Sequence, residues 1–170
     1  MTERNIRQEI DDFESHYGYD TTFMRELLET SPGGYQKFDA FLPMAHHNEK
    51  LNAEDFWVTK LAAMRVADCG ACLALNVRMA REAGVSKELI AAAANGGSRL
   101  EACSKDLYEF AAATASNEVI DSALMKRIES RYDKGALLEI GISVASAVVF
   151  PTIKRALGYT QHCQLIEDIT

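Results

Sequence analysis

Proline is scarce in this sequence, at 3 of 170 residues, and glycine is modest at 10. A chain so short of helix breakers, and 48% apolar, folds into ordered and largely helical structure and is not disordered. No cluster of lysine or arginine occurs anywhere, and the net charge is −7 with a pI near 5.1. That argues against nucleic acid and anionic membrane surfaces as partners. The opening MTERNIRQEIDDFE is charged from its second residues, unlike a signal or transit peptide. The most apolar stretch, 136–150, is interrupted by Glu139 and reads as too short to span a bilayer. Cysteine occurs 4 times with only one close pair, which fits catalysis better than a secreted disulfide framework. The expectation is a single domain over residues 1–170 in a reducing cytoplasm.

Apolar residues recur at helical spacing almost throughout, and nothing reads as a strand meander. The pattern predicts helices over 3–16, 23–29, 35–42, 54–66, 69–81, 86–94, 104–114 and 119–132. A long, strongly apolar helix follows from 134 to 157 and carries Pro151, which should kink it. Connections are short, so the fold class is all-α with no second domain.

The densest chemistry is Cys69-Gly70-Ala71-Cys72 at the head of the fifth predicted helix. One helical turn places two residues spaced i, i+3 with Cα atoms roughly 5–5.5 Å apart, within disulfide reach. A helix N-terminus favours thiolate over thiol through its unpaired N–H groups and dipole. Asp68 is placed to cap that helix, and its charge would oppose thiolate formation. Two other uses of the pair stand beside redox chemistry. Free cysteines also fill cores as small apolar groups. A structural zinc site would need four ligands, and no second pair sits at suitable spacing.

The string WVTKLAAMRVADCGACLALNVRMAREAG, residues 57–84, and the VSKELI that follows resemble the alkylhydroperoxidase AhpD / carboxymuconolactone decarboxylase-like superfamily. The resemblance extends over about 38–159. It implies an AhpD-like helical bundle that oligomerises through its helices; separately, no cofactor or metal is expected. It also implies a thiol-dependent oxidoreductase that reduces peroxide or a disulfide, with a thiol electron donor. By family roles Cys72 is the peroxidatic nucleophile and Cys69 the resolving thiol. The chain departs from the pattern at two places. Asn76 stands where the family's relay histidine falls, and Trp57 where its relay glutamate falls. An amide cannot take the thiol proton and an indole cannot orient a base, so the relay is missing. A member without its relay could instead be a non-catalytic or redox-sensing oligomer.

Other groups are candidates to support the thiols. His46 and His47 lie in the loop before the CxxC hairpin, as bases or as ordinary loop residues. Glu139, within the most apolar helix, is either a site acid with a raised pKa or the partner of an arginine such as Arg65. Arg65, four residues before Cys69, could stabilise a thiolate. Asn76 can donate a hydrogen bond to sulfur. Cys103 and Cys163 read as core thiols, with His162 beside the latter as a possible reactive partner. Glu54 and Asp55 serve a helix N-terminus, and Trp57 reads as a core or interface anchor.

Overall fold

Nine consecutive helices account for about three quarters of the described residues, and no strand occurs among them. The computed structural model describes residues 3–159, so His162 and Cys163 lie outside the described residues. The helices are α1 Glu3–Tyr17, α2 Thr22–Thr30, α3 Pro32–Ala45, α4 Ala53–Val66 and α5 Gly70–Glu82. They continue as α6 Lys87–Ala94, α7 Ala102–Ala115, α8 Ser122–Glu129 and α9 Lys134–Ala156.

Caps explain most boundaries. Asn52 accepts from the Asp55 N–H at 2.8 Å and returns its own amide to the Asp55 carboxylate at 3.0 Å, fixing the start of α4. Ser86, Asp121 and Asp133 accept backbone N–H bonds at the heads of α6, α8 and α9. The Asp121 cap shortens the helix predicted over 119–132 and leaves Val119 wholly exposed. At α5 the capping residue is Cys69 and not Asp68. Asp68 instead takes a left-handed conformation, φ 49°, that turns the chain between α4 and α5; aspartate tolerates it better than most residues.

α4 is the axis of the fold. Its residues from Phe56 to Met64 are all buried, and it packs on α5, α6, α7 and α9. A second apolar cluster joins Ile10, Tyr19, Phe23, Leu28, Tyr35 and Phe38 from α1–α3 and the turn between α1 and α2. Phe150 of α9 contacts both clusters. α9 runs 23 residues, longer than the apolar stretch in the sequence implied, and is by length and composition long enough to cross a membrane. Here it is packed as a core helix against α3, α4 and α7. Pro43 and Pro151 both lie inside helices.

Glu139 corrects the sequence reading. It is 2% exposed, yet its partner is no arginine and its carboxyl is not raised. Burial pushes it up, but the backbone N–H groups of Glu49, Leu51 and Lys50 outweigh this and hold it below the usual range. Those three bonds measure 2.9, 3.0 and 2.9 Å and seat the 46–51 loop on α9. Glu139→Ala leaves three donors unpaired, at about 1–3 kcal/mol each. The expected result is a melting temperature lower by roughly 6–12 °C, taking a net loss of about 3 kcal/mol. A shift under about 2 °C would show that the loop satisfies itself otherwise.

Candidate functional site

Two sulfurs facing each other across the first turn of α5 form the centre of the site. Cys69 Sγ and Cys72 Sγ are 2.6 Å apart, both are buried, and neither is in a disulfide. The pair titrates as one unit. The hydrogen bond between the sulfurs lowers Cys69 to about 6 against the opposing effect of burial. The Cys72 N–H, Lys154 and Arg155 act in the same downward direction. Cys72, as the thiol that keeps the proton, is pushed up by that bond and by burial. One negative charge is thus favoured on Cys69, beside a Cys72 thiol that keeps its proton.

The positive charges come from the end of α9. Lys154, only 7% exposed, donates to the Tyr19 hydroxyl at 3.1 Å. Its ammonium lies 4.9 Å from the Tyr19 ring centre and 5.2 Å from that of Phe23. The Tyr19 hydroxyl in turn lies 3.8 Å from Cys72 Sγ. Burial and then the Cys72 sulfur push the Tyr19 phenol far up, so it acts as a donor and never as a base. Arg155 donates to the carbonyls of Ala67 and Asp68, pinning the turn that presents Cys69. Arg78 of α5 donates to the carbonyls of Tyr17 and Gly18, which holds the turn bearing Tyr19 against the same helix.

Cys72 opens onto a cavity of about 200 Å³ between the two apolar clusters. Its walls are mainly apolar, with Phe13, Tyr19, Phe23, Tyr35, Phe38 and Trp57 among them. Trp57 is both a core residue, stacked edge-on against Phe56 at 5.3 Å, and part of this wall. Asn76 also lines it, but its amide donates to the Cys72 carbonyl at 2.8 Å and not to the sulfur. His46 reaches the cavity from the end of α3, its pKa lowered by burial and by Lys60. His47 instead acts on Glu139, away from the cavity. Arg65 is turned toward Tyr108, with Nη1 buried and unpaired. Cys103 is exposed at the start of α7, contrary to the expected core position.

The sequence reading passed over Tyr19, Lys60 and Lys154. For the lysines a signal was available, since each interrupts an apolar helical run as Glu139 does. Lys60 is 4% exposed, lines the cavity, and bonds Ser146 Oγ at 2.5 Å and the Ser143 carbonyl at 3.2 Å.

With this geometry in view, the comparison with known families is direct. The model of the carboxymuconolactone decarboxylase family matches residues 32–124, more than half of the chain and the whole α3–α7 segment that carries the CxxC pair. The chain belongs to that family. No curated protein and no solved structure gives a match to set beside it.

The buried Lys60 makes a stability prediction. Burial lowers its pKa from 10.5 to about 7. Between those values the unfolded chain binds the extra proton, so this residue's contribution to stability rises with pH across about 7 to 10.5. Its cost is fully present below pH 7. Lys60→Met keeps the apolar stem and removes the charge. The variant is expected to melt higher than wild type at pH 7 and to rise less in stability toward pH 10. A lower melting temperature at pH 7, with the pH dependence unchanged, would refute this.

Proposed function

We propose that this protein is a thiol-dependent oxidoreductase that reduces a peroxide or a disulfide through Cys72 and Cys69. The observation that supports it most is the facing pair of free thiols beside Lys154, with Cys72 on the cavity wall. In the peroxide reaction the Cys69 thiolate takes the Cys72 proton as the Cys72 sulfur attacks the outer oxygen. An S–O bond forms, the O–O bond breaks, and the leaving alkoxide takes a proton from the Tyr19 hydroxyl, re-protonated from solvent. Cys69 then attacks the Cys72 sulfur. The S–S bond forms as S–O breaks, and hydroxide leaves with the Cys69 proton as water. The two thiols lose two electrons and the peroxide gains them; an external dithiol donor restores the pair by exchange. A reducing cytoplasm would keep the resting pair as dithiol.

The missing histidine–glutamate relay sets the expected rate. General-base assistance is worth roughly 10²–10⁴. Here the Cys69 thiolate, favoured near neutral pH by its bond to Cys72, stands in as the base that takes the Cys72 proton. Met44, Val66, Val119 and Leu138 are the large apolar side chains exposed among the described residues, and an oligomer of the family type would draw on such side chains.

Peroxide consumption with dithiothreitol as donor tests the reading. Wild type should turn over and show one intramolecular link within the 69–72 peptide on mass spectrometry of the oxidised protein. Cys72→Ser should abolish turnover, and Cys69→Ser should accumulate a sulfenic acid at Cys72 that a trapping reagent labels. Labelling of Cys69 in Cys72→Ser would reverse the roles. Oxidation of the pair once, without turnover, would make it a redox sensor.

A further inference from the structure

We propose that the cavity selects a carboxylate: its ligand is a small, largely aromatic or apolar molecule bearing one carboxylate, which pairs with Lys60. The inference rests on the oxidoreductase reading only in taking that ligand as the substrate class of Cys72; the binding claim stands apart from it. A buried ammonium normally has an anion beside it, because desolvating an unpaired charge costs several kcal/mol. Lys60 has none among the described residues. Its two hydrogen bonds go to neutral oxygens, Ser146 Oγ and the Ser143 carbonyl, and a third donor is left over. Ser146 Oγ in turn donates to the Ser143 carbonyl at 2.9 Å, so this small network offers no negative charge. The Phe56 ring, 5.6 Å from the ammonium, is the remaining described contact.

The other charged groups around the cavity agree with this polarity. His46, on the same wall, feels Lys60 as a like charge. The acidic groups of the lining, Glu9 and Asp39, both act on the Tyr35 hydroxyl, and the first is exposed and the second half-buried. They belong to the solvent side, whereas Lys60 belongs to the interior. The shape fits the chemistry as well. A cavity near 150 Å³ lined by apolar side chains holds benzene. At about 200 Å³ there is room for an aromatic ring and a carboxylate.

The probes are 4-isopropylbenzoate and its uncharged counterpart 4-isopropylbenzamide, titrated calorimetrically into the reduced full chain without peroxide. The carboxylate should bind the wild type roughly 10–100-fold more tightly than the amide, the range of a charge-assisted hydrogen bond in a buried site. Lys60→Met should remove that preference while leaving the amide affinity unchanged, which also shows that the variant is folded. Equal affinities in wild type, no binding of either compound, or a preference that survives in Lys60→Met would each overturn the proposal. In parallel, cumene hydroperoxide and its 4-carboxylate are offered as oxidants. Carboxylate-selective binding without consumption of either would leave the site standing and sink the peroxide arm of the oxidoreductase reading. Preference for the carboxylated hydroperoxide, lost in Lys60→Met, supports both.

Discussion

A thiolate in an apolar wall depends on the bond between the two sulfurs and then on a nearby cation, which Lys154 supplies. Its ammonium is itself buried, so it in turn depends on the Tyr19 hydroxyl, two aromatic faces and the charge on the sulfur pair. Much of the architecture near the site keeps these groups together. Arg78 ties the Tyr19 turn to α5, Arg155 ties the Cys69 turn to α9, and the α1–α3 cluster closes over both. The thiol chemistry is therefore a property of helices far apart in sequence: Tyr19 and Lys154 are 135 residues apart.

Among the described residues three charged side chains lie inside the apolar body, and each has a different arrangement. Glu139 is surrounded by backbone donors and is structural. Lys154 faces the thiols and an aromatic cage. Lys60 faces a cavity and has only neutral acceptors, so it costs stability in the empty protein. A buried group that destabilises the fold and lines a cavity is a reasonable marker of a binding site.

The helices were legible in the sequence because apolar spacing and caps such as Asn52 and Ser86 act locally. The capping residue of α5 was misplaced, because Asp68 is as good a cap by type but its backbone is spent on the turn. The CxxC pair was legible because its spacing alone brings the sulfurs together. What surrounds it was not. The cavity is assembled from α1–α5 and α9, and no local pattern records that Tyr19 meets Cys72 or that Asn76 turns to a carbonyl. Glu139 was noticed as a charge in an apolar helix but its partners, three N–H groups about 90 residues earlier, leave no side-chain signature. The same reasoning applied to Lys60 and Lys154 would have found both.

The central claim is that the bond between the two sulfurs, with Lys154 beside it, makes the buried pair ionise near neutral pH. The direct test is the pH dependence of alkylation of Cys69 and Cys72, followed by mass spectrometry in wild type and in Lys154→Met. The account predicts a first ionisation near 6 in wild type, raised in the variant. A wild-type midpoint at the ordinary thiol value, or a midpoint that does not move when Lys154 is replaced, would contradict it.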